Sequence, residues 1–353
     1  MNRIAVGMSG GVDSAVAAAL LIDKGFDVEG FFMKNWDDDS EFCNAEQDYI
    51  DALQVCQNLG IPLRSINFEK EYWERVFKHF LNEYKKGRTP NPDILCNTEI
   101  KFKEFLNYTI DLGVDKIATG HYVRIKSKKK KVQLLKGSDK SKDQSYFLHG
   151  LNQHQISKAI FPIGSLFKTD VRKLAKKLGL DNYNKKDSVG ICFIGKRNIK
   201  QFLRKYLQNQ SGDIINSYGE KLGEHDGVMF YTIGQRKGLG IGAKKNNSNG
   251  AWYVVDKDLK NNELIVCQGH DHPALYQKKI TASQVHWISG IAPKKNNLNA
   301  KIRYRSNDTP CSVTGIDVDK ISIIFENPCF AIAPGQSIVF YDNDICLGGA
   351  VID

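Results

Sequence analysis

The sequence predicts an α/β domain built on a doubly wound parallel sheet, followed by a small β-rich central domain and a C-terminal β-barrel. Three observations predict it. Apolar, strand-like runs alternate with helical patterns through the first part of the chain, and a glycine-rich turn joins the first run to the first helix. After Gly212 the helical period gives way to short β-type runs separated by turn residues. At 353 residues the chain exceeds what one ordinary core supports, so more than one domain is expected.

In chain order, the strand-like runs Arg3–Met8, Val28–Met33, Leu63–Asn67 and Lys116–Thr119 alternate with helical patterns such as Asp13–Lys24 and Ala45–Leu59. In the second of these helices Tyr49, Leu53 and Cys56 share a face. Ligands of such sheets bind at the carboxyl ends of the strands, where the strand order reverses. From Lys126 to Lys142 the basic stretch KSKKKKVQLLKGSDKSK interrupts the alternation. It reads either as a solvated hairpin or loop, or as a phosphate contact. Helical pattern resumes at Thr169–Leu178. The Gly-rich segments Tyr218–Gly227 and Gly234–Gly242 then alternate with β-type runs Trp252–Val255 and Leu264–Cys267. From about Lys278, runs such as Lys301–Arg305, Ile321–Phe325 and Ser337–Tyr341 have the spacing of a barrel or sandwich. The expected division is 1–208, 209–276 and 277–353.

Lys plus Arg number 50 against 40 Asp plus Glu, a formal net charge of +10. That excess suits a polyanion, although an anionic membrane or plain solubility accepts it equally. The start, MNRIAVGMSGG, runs straight into a strand rather than a secretory signal, and no apolar stretch is long enough for a membrane helix. A cytoplasmic protein without membrane contact is expected. Eight cysteines, at 43, 56, 96, 192, 267, 311, 329 and 346, form no C-x-x-C pair. Neither a zinc site nor a disulfide scaffold is signalled, and no protein-held metal is expected.

The strongest motif is Gly7-Met8-Ser9-Gly10-Gly11-Val12-Asp13-Ser14, lying between the first strand and the first helix. Its glycines let backbone N–H groups close around phosphate, and the helix start adds the positive end of its dipole. It is neither a Walker A sequence nor a G-x-G-x-x-G fingerprint. It resembles the S-G-G-x-D-S loop of ATP pyrophosphatases, which grip the β,γ-pyrophosphate and release it intact while AMP goes to the acceptor. The plainer alternative is that Ser9 or Asp13 only caps the helix. Met33 closes the second strand where an adenine would lie, or is a core methionine.

In Thr89-Pro90-Asn91-Pro92-Asp93-Ile94-Leu95-Cys96-Asn97, two prolines stiffen the approach, and Asn97 or Asp93 can start the helix that follows. Near a helix start the Cys96 thiol would be acidified, and Asp93 beside it makes an acid/base and thiol pair. A lone buried thiol is the alternative. In Lys185-Lys186-Asp187-Ser188-Val189-Gly190-Ile191-Cys192-Phe193-Ile194-Gly195, the cations Lys185, Lys186, Lys196 and Arg197 can stabilise a thiolate or persulfide at Cys192. The alternative there is a core cysteine in a short strand. The acidic run Asp37–Asp39 reads as a solvated loop rather than a Mg²⁺ site.

These motifs, together with ATGHYVR at 118–124, KDQSYFL at 142–148, YTIGQRKGLG at 231–240, KIRYR at 301–305 and APGQ at 333–336, resemble the bacterial tRNA-specific 2-thiouridylases of the ATP pyrophosphatase class. The likeness runs from residue 3 almost to the C-terminus. It implies an adenine nucleotide alpha hydrolase-like catalytic domain and the two β domains described above. It implies that Gly7 to Ser14 bind the phosphates of ATP, carried with Mg²⁺, while Met33 and Gly120 border the adenosine. Asn91, Pro92 and Asp93 would meet the target base, with Asp93 handling protons. Cys192 would carry the persulfide and Cys96 would be the second thiol. His121, Lys142, Asp143, Gln144, Arg303, Tyr304 and Gln336 would touch tRNA. The implied reaction adenylates the C2 oxygen of the wobble uridine and replaces it with sulfur. Release is either through a Cys96–Cys192 disulfide or as free sulfide. The implied partners are tRNAs for lysine, glutamate and glutamine and a cysteine desulfurase or sulfur-relay protein. Two other classes compete: a small-molecule adenylating enzyme with the same loop, and a non-catalytic RNA-binding protein.

Overall fold

A computed structural model describes residues 2–36, 45–128, 131–187, 199–208, 210–241, 250–316 and 319–353. The first strands are β1 (Arg3–Gly7), β2 (Asp27–Lys34), β3 (Leu63–Asn67) and β4 (Lys116–Ala118), followed by a hairpin of β5 (Val123–Lys128) and β6 (Lys131–Lys136) and by β7 (Ala159–Ile160). Five of them form an all-parallel sheet in the order β3-β2-β1-β4-β7. Alternation along β1 sends Ile4 and Val6 to one face and Ala5 to the other. The first face packs on α1 (Val12–Asp23), α2 (Ala45–Leu59) and α3 (Lys168–Lys177). The second packs on helical segments between 69 and 111. Burial on both faces explains the apolar run of β1 and the buried centre of β2, whereas β3, at the sheet edge, buries only Ile66.

The central sheet contains β8 (Gly212–Asn216), β9 (Lys221–His225), β10 (Trp252–Asp258) and β11 (Glu263–Gln268), in the order β10-β11-β8-β9. The last six strands are β12 (Tyr276–Trp287), β13 (Asn297–Lys301), β14 (Thr309–Ile316), β15 (Lys320–Phe330), β16 (Ser337–Asp342) and β17 (Ile345–Ile352). They run β12-β15-β14-β13-β16-β17 and close through β12–β17 pairing, so the sheet is a barrel.

Three local expectations change. The basic stretch after Lys126 does fold as a hairpin, but it is not separate: β6 extends the barrel sheet by pairing with β17, Leu135 opposite Ile345. Lys301–Arg305 is not a strand beyond Lys301. The chain turns there because the Ser306 N–H and hydroxyl both donate to the Arg303 carbonyl, at 3.1 and 2.8 Å, and Arg303 is drawn inward. The helix after Pro90 is started by Asn91, not by Asp93 or Asn97. Pro92 takes the first helical position, and the Asn91 side chain accepts the Asp93 N–H at 3.1 Å.

Candidate active site

The strand order reverses between β1 and β4, so the loops that follow these two strands emerge side by side at the carboxyl edge of the sheet. Contact between them is tight. A Cβ on Gly120 would lie 2.7 Å from both the Ser14 nitrogen and the Asp13 carbonyl carbon. Gly10 has φ +70°, and a Cβ there would lie 2.4 Å from the Asp48 carbonyl oxygen on α2. Met8 and Val12 bury their side chains in the core, so only their backbone belongs to the loop. The Ser14 hydroxyl accepts the Ser9 N–H at 3.2 Å and donates to the Gly11 carbonyl at 3.0 Å. Gly11 is the N-cap of α1 and no side chain caps the helix, so neither Ser9 nor Asp13 serves in that role. A first turn without a side-chain cap, at the positive end of the helix dipole, is suited to phosphate.

Asp13 instead faces Lys168 and Tyr122. The Lys168 ammonium donates to both Asp13 oxygens at 2.8 and 2.7 Å, and the Tyr122 hydroxyl donates to one of them at 2.7 Å. Lys168 also pairs with Asp187 at 2.7 Å, and Asp187 receives Lys142 at 2.7 Å. Burial, reinforced by the Asp13 carboxylate, pushes the Tyr122 hydroxyl far above its ordinary range and keeps it a donor. Against the raising effect of partial burial, hydrogen bonds from Lys142 and Lys168 bring the Asp187 carboxyl down to about 2. On the other side of the loop, the Gly10 carbonyl accepts from Asn182 at 3.2 Å and Lys185 at 3.3 Å. Lys185 is paired with Asp48 at 2.7 Å and Asp51 at 2.5 Å.

Met33 reaches the end of β1, because a Cβ on Gly7 would lie 3.1 Å from its methyl carbon. It packs against the apolar cluster that contains Cys96, Phe105 and Phe31, and Phe147 and Tyr304 pack on the same cluster. Cys96 is buried at the start of a wide i→i+5 helical segment, Cys96–Glu104. Such segments are rare and often mark functional positions. Cys192, with the rest of 188–195, and Asp37–Asp39 lie outside the described residues.

Among the residues expected at tRNA, Lys142 is part-exposed but engaged with Asp187. Asp143 is buried and accepts the Gly137 and Ser145 N–H groups at 3.0 and 3.1 Å. Gln144 accepts the Tyr122 N–H at 2.9 Å. His121 is buried; burial holds its imidazole well below the ordinary range, and Nδ1 sits 2.7 Å from the Thr119 hydroxyl. Tyr304 lies against the Phe147 ring, with centroids 4.4 Å apart. Arg303 donates to the carbonyls of Ile233 at 3.0 Å and Ala331 at 2.5 Å. Gln336 donates to the Thr89 carbonyl at 2.5 Å, while the Thr89 N–H donates to Pro334 at 2.8 Å and its hydroxyl meets Thr232 at 3.2 Å. Thr89 thus ties the Asn91–Cys96 segment to the central and C-terminal domains.

Lys168 and Tyr122 escaped the sequence reading as site residues. Lys168 stands one position ahead of a helical pattern and Tyr122 sits inside ATGHYVR, with no local feature to mark either. Asp187 was visible only as a neighbour of Cys192. Among the described residues no group of three or more His, Cys, Asp or Glu is placed to hold a metal ion. No helix among them is long and apolar enough to cross a membrane.

Comparison with known proteins gives three family matches in succession. Residues 2–196 match a tRNA methyl transferase HUP domain, 200–268 a tRNA methyl transferase PRC-barrel domain, and 277–352 an aminomethyltransferase beta-barrel domain. The chain is 55% identical over 355 residues to the tRNA-specific 2-thiouridylase MnmA of Francisella philomiragia, covering 99% of each. It is 55% identical over 356 residues to that of Proteus mirabilis, covering 100% of this chain and 97% of the other. To that of Haemophilus influenzae it is 55% identical, covering 99% and 93%. The domain descriptions speak of methyl transfer, whereas these full-length relatives are named for thiolation. Agreement over whole chains decides for the latter.

Proposed function

Because the chain belongs to the tRNA-specific 2-thiouridylase family and is therefore a tRNA-modifying sulfurtransferase, we propose that it makes 2-thiouridine at the tRNA wobble position by ATP-dependent adenylation and persulfide transfer. The observation that carries the reading is the loop between β1 and α1, uncapped by side chains, bounded by Gly120 and Met33, with Met33 packed on the cluster that contains Cys96. A catalytic domain over 1–208, a central domain over 209–276 and a barrel domain over 277–353 share the work.

The C2 carbonyl of uracil is a poor electrophile and its oxygen a poor leaving group. The Gly7–Ser14 loop holds ATP, with Met33 and Gly120 at its adenosine, so that the C2 oxygen attacks the α-phosphorus and pyrophosphate leaves. Mg²⁺ bound to the nucleotide would offset phosphate charge, and no side chain among the described residues is assigned to hold it. Asp93 handles the proton released from the base, with Asn91 and Pro92 beside it. The terminal sulfur of a Cys192 persulfide, loaded by a cysteine desulfurase or a relay protein, attacks C2, and AMP departs with the oxygen. The Cys96 thiolate then attacks the Cys192 sulfur, forming a disulfide and leaving sulfur on the base, and a thiol reductant resets the pair; in the alternative route a thiol first reduces the Cys192 persulfide and the freed sulfide attacks C2. The target base must be splayed out of the anticodon loop. Of the residues the resemblance assigns to tRNA, the part-exposed Lys142, Gln144, Arg303 and Tyr304 are the proposed RNA contacts, whereas the buried His121 and Asp143, and Gln336 through Thr89, support the site from within; tRNAs for lysine, glutamate and glutamine are the proposed substrates.

The test is direct: unmodified tRNA, ATP, Mg²⁺, cysteine and a cysteine desulfurase are incubated with the protein, and the digested RNA is searched for 2-thiouridine by mass spectrometry. Thiolation is expected only with ATP. Pyrophosphate release without a thiolated base would redirect the acceptor assignment.

A further inference from the structure

We propose that Lys168 is a positioning residue of the phosphate site, fixing Asp13 at the mouth of the loop while Asp187 fixes Lys168; the inference rests on assigning the Gly7–Ser14 loop to ATP. The Lys168 side chain is only 9% exposed and spans two carboxylates, at 2.8 and 2.7 Å to Asp13 and 2.7 Å to Asp187. Burying a lysine side chain this far is unfavourable unless its head group is paired, and the two carboxylates supply that pairing. Asp13 stands in the first turn of α1, next to Ser14 and against the Gly120 backbone. A polyanion entering the loop meets the Asp13 carboxylate there. Lys168 offsets that negative charge and, with Tyr122, engages both carboxylate oxygens, fixing their orientation. Asp187 in turn is shared with Lys142 at 2.7 Å, which keeps the bridge anchored from the far side. Lys168 therefore acts on the nucleotide through Asp13, by charge and by orientation.

ATP affinity by titration calorimetry on the full chain with Mg²⁺, and KM for ATP and for tRNA in the thiolation assay, test this. Lys168→Met is expected to weaken ATP binding and raise its KM roughly tenfold or more, since a charge-assisted contact is lost, with the KM for tRNA unchanged. Lys168→Arg keeps the charge and is expected to stay within roughly threefold of the wild type. Asp187→Asn is expected to fall between them, and serves as the probe if Lys168→Met melts below assay temperature. Wild-type ATP affinity in folded Lys168→Met or Asp187→Asn would overturn the proposal. So would equal losses for ATP and tRNA, which would mark Lys168 as merely structural. Failure of the wild-type protein to bind ATP would instead bring down the loop assignment itself, and the proposal with it.

Discussion

Ser9 and Ser14, five residues apart, bond to each other across the loop after β1, whereas Thr89 takes its side-chain partners from Thr232 and Gln336, 143 and 247 positions away. The first arrangement needs one strand, one turn and one helix. The second needs all three sheets to be formed and docked. The loop's further contacts, from Asp48, Gly120 and Lys168, all lie within the parallel-sheet domain, while the segment carrying Asn91, Asp93 and Cys96 also depends on contacts to the other two domains that local or domain-scale opening can break. Nucleotide binding and sulfur chemistry should thus respond differently to mutation.

The sharpest separation is expected at Cys96. Cys96→Ser should abolish thiolation while leaving ATP affinity unchanged, and persistent thiolation by this variant would remove Cys96 from the mechanism. Gly10→Ala attacks the nucleotide loop. Its φ of +70° and the 2.4 Å approach of a Cβ to the Asp48 carbonyl both oppose a side chain. A destabilisation of at least about 2 kcal/mol is expected by urea unfolding, with loss of ATP binding. Unaltered ATP binding in Gly10→Ala would show that the loop tolerates rearrangement and is not set by its glycines.

The same contrast governs what the sequence discloses. The all-parallel sheet, the helix Ala45–Leu59 and strand Leu63–Asn67 follow from local period and composition, and the glycine loop is legible because its chemistry is contiguous. Lys168 is not legible, since a single lysine acquires meaning only when α3 is packed beside α1 and its ammonium meets Asp13, 155 residues earlier. The strand expected over Lys301–Arg305 fails for a similar reason: its alternation is real, but Arg303 finds carbonyl partners in two other segments and the chain turns to reach them. The attachment of the β5–β6 hairpin to β17 joins residues more than two hundred positions apart, beyond what any local pattern encodes.

Acid is the next lever on the docked side. His149 is fully buried between the catalytic domain and the barrel: its Nδ1 meets the Tyr146 carbonyl at 2.8 Å, and a Cβ on Gly349 would lie 2.5 Å from its ring. Burial lowers its pKa from 6.5 to about 4, so the unfolded chain binds the proton first as pH falls. Its stabilising contribution is complete above pH 6.5 and fades toward about 4. A difference of that size is worth about 3 kcal/mol. Chemical unfolding of the wild type should show this acid-side loss, deepened by His121, whose pKa is lowered in the same direction. His149→Gln should flatten it. An unchanged slope in that variant would show that His149 is accessible to protons in the native state.

The smallest effect expected falls at Gln336, on the docked side. Gln336 is assigned to tRNA by resemblance, yet its amide already donates to the Thr89 carbonyl. Gln336→Ala orphans that carbonyl and should lower stability by about 1 kcal/mol. Because Thr89 precedes the Asn91–Cys96 segment by two residues, thiolation should fall a few-fold, roughly the effect of one lost hydrogen bond, while ATP affinity stays put. A contact made only to RNA would do something else: tRNA affinity would drop with stability untouched. Measuring unfolding, ATP affinity and tRNA affinity on this one variant therefore tells whether Gln336 reads the substrate or holds the barrel against the segment that carries Cys96.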